Sequence, residues 1–163
     1  MPIRQQTHRQ RLLCRQYNHQ LPQHNLTVYR GVCQPKVLHS VANNNINNLS
    51  IITESLKKLN TSESTVENFL GKNVIYQAKD ISSTSKSLQT AKRYADRHRI
   101  IEGPLPIVMQ IDIQPGTACG EICDDLDREV MLQPNQQIQI NSASREGAYI
   151  ILHCQTITTE AKK

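Results

Sequence analysis

Between residues 107 and 113 the chain reads Ile-Val-Met-Gln-Ile-Asp-Ile, with an apolar residue at every odd position. Successive strand side chains point to opposite faces, so this alternation predicts a strand with Ile107, Met109, Ile111 and Ile113 turned into a core. Residues 27–32, Thr-Val-Tyr-Arg-Gly-Val, have the β-branched and aromatic composition of a short strand. Residues 81–85, Ile-Ser-Ser-Thr-Ser, predict another, and residues 86–99 a helix in which Leu88, Ala91 and Ala95 recur at helical spacing and pack on a sheet. An apolar run opening at residues 127–132 reads as a further strand, and residues 136–140 and 149–157 as closing strands. Pro115-Gly116 turns the 107–113 strand into a loop that continues to residue 125. In the first half, residues 49–59 predict a helix. The asparagine-rich stretch 43–48 is poor in a helix interior and reads as a loop or a frayed helix start. Ser64-Thr65-Val66-Glu67 has the form of a capping box, which predicts a short helix. Helices come first and strands later, the order of an α+β domain.

Composition narrows this picture. A chain of 163 residues suits one compact domain, residues 1–163. Aromatic residues make up 4% and tryptophan is absent, so the core must rest on Ile, Val, Leu and Ala. The mean hydropathy of −0.52 points to a soluble protein. No apolar run approaches the ~20 residues a membrane span needs. The N-terminus is basic but lacks the apolar stretch of a secretory signal, so no classical signal peptide is expected. Five cysteines, Cys14, Cys33, Cys119, Cys123 and Cys154, are an odd number without paired spacing, which argues for free thiols in a reducing compartment. Cys119 and Cys123 lack histidine partners at zinc spacing, so no metal is expected. Six basic residues precede the first acid, Glu54, while 13 basic residues stand against 14 acidic ones after that point. Residues 1–25 therefore read as a basic extension or helix. It would dock on an acidic partner, a nucleic acid or an anionic membrane surface, or would be a solvated helix face with Leu12 and Leu13 turned inward. Only Tyr17 could stack beside the basic cluster, which leaves nucleic-acid binding little support.

The candidate chemistry centres on Asp127-Arg128-Glu129. Two carboxylates two positions apart on a strand share a face. One of them against a substrate hydroxyl and the other facing a nucleophile suits chemistry at a sugar carbon. Alone the pair is a weak signal, because exposed carboxylates are the norm. With Tyr29-Arg30-Gly31 and Ser83-Thr84-Ser85 upstream, in that order, it resembles the arginine–serine–glutamate class of mono-ADP-ribosyltransferases, of the bacterial toxin or effector type. The class has an aromatic-Arg-Gly strand, an S-T-S strand and an E-x-E loop-strand. The helix from Ser87 to Ala95 and the core strand ending in Pro115-Gly116-Thr117 also match, so the resemblance covers residues 26–158.

The resemblance implies a fold of two packed, mainly antiparallel β-sheets forming an NAD cleft, with N-terminal helices. It implies NAD as substrate and Tyr29, Arg30, Gly31, Ser83, Thr84 and Ser85 as the residues that bind it. Arg30 would hold the diphosphate or ribose through planar paired bonds, or else is an exposed strand arginine. Gly31 would let its backbone approach the nicotinamide amide. Ser83 would hold Glu129 in place, and Thr84 and Ser85 would brace the site. A Ser/Thr run also reads as a capped turn, with Ser85 or Ser87 capping the helix that follows. Glu129 would stabilise positive charge developing on the sugar carbon. Asp127 would face the acceptor. The class has a glutamate or glutamine there when arginine is the acceptor, and Asp127 is shorter by one methylene, about 1.5 Å. The loop 117–125, where the class recognises its target, holds no aromatic residue here.

The expected function is NAD-dependent transfer of ADP-ribose to a protein side chain, arginine favoured. NAD glycohydrolysis, a Thr or Asn acceptor, and an inactive binding module of the same fold are the alternatives. The implied setting is a monomeric secreted bacterial effector acting on a host or competitor-cell protein in the target cell's cytosol.

Overall fold

The computed structural model describes residues 26–62, 66–98, 103–121 and 129–158. Strand β1 (Leu26–Val32) leads into helix α1 (Gln34–Asn44), a 3₁₀ turn (Ile46–Asn48) and helix α2 (Leu49–Thr61). Strands β2 (Val66–Asn68), β3 (Ile75–Gln77) and β4 (Ser82–Ser85) follow, then helix α3 (Leu88–Arg97) and strand β5 (Ile107–Ile113). The chain closes with β6 (Cys119–Glu121), β7 (Glu129–Leu132), β8 (Gln137–Glu146) and β9 (Tyr149–Thr156).

Nine strands join in one hydrogen-bonded series, β2-β8-β9-β5-β1-β4-β7-β6, with β3 also on β8. Every pairing is antiparallel except β5 with β9. The expected two sheets are present as two ladders that meet at one residue pair. β1 is paired with β5 along its whole length, and β4 with β7 along its whole length, but β1 touches β4 only at Tyr29–Ser85.

Strand β5 keeps Ile107, Met109, Ile111 and Ile113 fully buried in the main core, as its alternation requires. Val108 is fully buried too, on the opposite face, where Ala91 and Ala95 of α3 and Ile151 of β9 cover it. The expected amphipathic strand is thus buried on both faces at its first turn. Of the three α3 positions expected on the sheet, Ala91 and Ala95 are buried, whereas Leu88 is 37% exposed. Phe69, the single phenylalanine, and Tyr76 are the largest fully buried side chains and supplement the aliphatic core.

Three local expectations change. Helix α1 extends into the asparagine stretch because Val37 and Val41, one turn apart, are fully buried. Pro35 fits its first turn, where a missing N–H costs nothing. Asn45 then adopts an extended conformation, and its side chain accepts from the Asn47 N–H at 2.9 Å to start the 3₁₀ turn. Val66 and Glu67, expected in a short helix, lie in β2 instead; residues 63–65 lie outside the described residues. The Glu67 carboxylate, which a capping box would turn back onto a helix N-terminus, accepts from Ser55 Oγ at 2.9 Å and pairs with Lys58 at 3.7 Å, both on α2. Finally, β8 runs six residues past the expected end at Ile140. A bulge between Ile140 and Ser142 restores alternation, so that only Ala143 of that polar extension is buried.

Candidate active site

The cleft arises where the two ladders part. After the Tyr29–Ser85 pair, β1 and β4 diverge, and the Arg30 guanidinium crosses the gap to donate from Nη1 to the Ser83 carbonyl at 2.8 Å. A cavity of about 230 Å³ opens there. Its strand-side wall is Tyr29, Arg30, Gly31, Ser83, Thr84, Ser85 and Glu129. Thr90, Ala91, Tyr94 and His98 close it from the helix side. All sequence-derived site residues except Asp127 therefore line one cavity. Asp127 lies outside the described residues, as do residues 122–125 of the loop expected to recognise a target.

Glu129 is half-buried at the start of β7, opposite Ser85. Ser83 Oγ donates to Glu129 Oε2, which ties the carboxylate to the neighbouring strand. Thr84 is buried, its hydroxyl donating to the Val130 carbonyl at 2.7 Å, so its side chain stitches β4 to β7. The Ser85 hydroxyl accepts from the Ser87 N–H at 3.0 Å, and Ser87 Oγ caps α3 by accepting from the Thr90 N–H at 3.3 Å. The serine-rich segment lines the cavity and also starts the helix.

Arg30 Nε is buried and has no hydrogen-bond partner among the described residues. A buried donor left unpaired costs about 1–3 kcal/mol, a penalty that a ligand acceptor would relieve. Gly31 has a reason the sequence did not reveal. A Cβ there would stand 2.1 Å from the Ala91 carbonyl oxygen and 2.5 Å from the Ala95 N–H nitrogen, so only glycine lets α3 sit this close to β1.

Sequence reasoning missed Tyr94 and His98. They stand four residues apart, Tyr94 on α3 and His98 at its C-cap, and so lie on one side of the helix, which was the available signal. Tyr94 is 46% exposed, with the Arg97 guanidinium 5.4 Å from its ring centre. The front of the expected recognition loop runs antiparallel to β7, with Glu121 paired to Val130 beside Glu129. Thr117 is buried against Thr156, their hydroxyls 2.7 Å apart, and Cys119 pairs with Leu132, at the opposite end of β7. Cys33 and Cys154 are free thiols. Among the described residues, no three His, Cys, Asp or Glu side chains gather to hold a metal ion.

No family model matches the sequence, and no curated protein does. Solved structures do. C3stau2 from S. aureus, solved with NAD, is 17% identical with a TM-score of 0.56, covering 88% of this chain and 66% of that one. The ADP-ribosyltransferase HopU1 of Pseudomonas syringae pv. Tomato DC3000 is 15% identical with a TM-score of 0.52, covering 89% and 50%. The fold is that of the ADP-ribosyltransferases. Plx2a, an ADP-ribosyltransferase toxin from Paenibacillus larvae, shares it at 13% identity and a TM-score of 0.50, covering 82% of this chain and 62% of that one. The chain thus spans half to two-thirds of the length of these ADP-ribosyltransferase-fold structures. No helix among the described residues is long and apolar enough to cross a membrane.

Proposed function

We propose that the chain is an NAD-dependent mono-ADP-ribosyltransferase, moving ADP-ribose from NAD to a protein side chain, arginine foremost, with release of nicotinamide. The observation that carries this reading is the meeting of Arg30, Ser83 and Glu129, from three strands, in one cavity of this fold. The residues fit the substrate. A buried, unpartnered guanidinium nitrogen suits an anionic or hydroxylated ligand, and about 230 Å³ has room for one end of a dinucleotide.

NAD supplies a ribose carbon already joined to a good leaving group, nicotinamide. Arg30 holds the diphosphate or ribose, and the Gly31 backbone lies beside the nicotinamide amide. Ser83 fixes the Glu129 carboxylate, and Tyr29, Thr84 and Ser85 shape the wall around it. Glu129, bonded to the ribose 2′-hydroxyl, stabilises the positive charge that grows on the sugar carbon as the carbon–nitrogen bond breaks. The bonding pair leaves with nicotinamide, the acceptor nitrogen forms the new bond, and Asp127 takes the acceptor's proton. The setting we propose is that of a bacterial effector or toxin acting as a monomer on a protein in the cytosol of a target cell.

Glu129→Gln keeps the side chain's size but removes its charge. Both protein labelling from labelled NAD and hydrolysis of NAD should fall about 10²–10³-fold in a variant whose circular dichroism is unchanged. Wild-type activity in that variant would falsify the proposal.

A further inference from the structure

Helix α3 and its C-cap His98 supply one wall of the cavity, yet the helix is seated on the sheet by small residues. Its buried residues are small, Thr90, Ala91 and Ala95, the two alanines set against Val108 and Ile151 and directly over Gly31. Such a contact allows close approach, and the bulky side chains packed against it, Tyr29 and Tyr149, come from the strands and not from the helix. Rotation matters, because Tyr94 and His98 reach the cavity from one face of α3.

The grip lies on the opposite face. Lys92 and Asp96 are also four residues apart, and two residues from Tyr94 and His98 respectively is about 200° around the helix. Both meet Tyr149, the first residue of β9. Its hydroxyl lies 2.9 and 2.8 Å from the two Asp96 carboxylate oxygens and shares its proton between them. The Lys92 ammonium stands 5.2 Å from the centre of the same ring. Asp96 is the one acid on a helix whose other charges are Lys92, Arg93 and Arg97.

We infer that Tyr149 is a positioning residue for the substrate cavity, fixing the rotation of α3 through Asp96 and Lys92 and so aiming Tyr94 and His98. Tyr149 itself does not line the cavity. The inference rests on the proposed NAD-binding role of that cavity, and its test separates the two.

The experiment measures NAD affinity by calorimetry, together with amide hydrogen exchange, for wild type, Tyr149→Phe, Asp96→Ala, the double variant and Ser55→Ala. Ser55→Ala removes the Ser55–Glu67 hydrogen bond, far from α3, and controls for lost stability. Each α3-side variant should weaken NAD binding about tenfold, and the double variant should lose no more than either alone. Exchange from Ala91 to Ala95 should quicken, while Ser55→Ala binds NAD like wild type. Wild-type affinity in Tyr149→Phe, or an equal loss in Ser55→Ala, overturns the inference. If wild type itself binds no NAD, the proposed function is what fails. Exchange then decides the positioning role: unchanged α3 protection in Tyr149→Phe overturns it, and quickened exchange upholds it.

Discussion

Helices α2 and α3 both pack on the sheet, and they do so by opposite means. Helix α2 buries Ile52, Leu56 and Leu59 in the main core, where their bulk fixes its depth and rotation together. Helix α3 buries Thr90 and two alanines, the alanines over a glycine, so its depth is set by backbone meeting backbone and its rotation by a tyrosine at the edge of the contact. A helix held by bulk has its large side chains committed to the core. One held by close approach keeps Tyr94 and His98 free for the cavity, which is the arrangement a binding wall needs.

The sharpest way to break this contrast is Gly31→Ala. The added methyl would meet α3 backbone, not a movable side chain, so the helix must lift from β1. In the folded protein NAD binding should fall by more than about a hundredfold, beyond the ~1–3 kcal/mol of stability that overpacking usually costs. Calorimetric binding alongside urea unfolding checks both parts, and near-normal affinity would show that the close approach does not shape the site. Leu59→Ala on α2 should do the reverse. It should cost about 2–5 kcal/mol in urea unfolding by leaving a hole in the core. The fraction that remains folded should bind NAD with unaltered affinity.

The smallest effect concerns the core face of β9. Burial first, and the charge of Asp112 second, push the Cys154 thiol far above its ordinary value of 9.0. The folded state therefore keeps the thiol's proton where the unfolded chain loses it. That contribution is complete below pH 9 and declines as pH rises beyond it. Stability measured from pH 8 to 11 should fall more steeply in wild type than in Cys154→Val, and parallel curves would refute the assignment.

The parts legible in the sequence share a property: their signal is local. Strand β5 declares itself by alternation, and the three short motifs lie on strands whose order brings them together. What stayed hidden depends on remote partners. Helix α1 is concealed by its terminal asparagines, since the burial of Val37 and Val41 shows only once the core is assembled. Glu67 reads as a capping residue until Ser55 and Lys58 claim its carboxylate. The second demand on Gly31, the close seat of α3, shows only once the helix is in place above it. Tyr94 and His98 belong to a helix that was legible, but nothing near them in the sequence says which face meets the cavity, because Tyr149 sets that from some fifty residues away.

The seam between the two ladders has a mechanical consequence. Seven residue pairs join β1 to β5 and four join β4 to β7, whereas one pair joins β1 to β4. A sheet yields where its stitching is thinnest, so its softest line runs past Arg30, Ser83 and Glu129. Spreading the cleft strains one backbone pair, the Arg30–Ser83 tether and the core that Val28 of β1 shares with Val130 and Leu132 of β7. Compliance is thus concentrated at the candidate cleft rather than within either ladder.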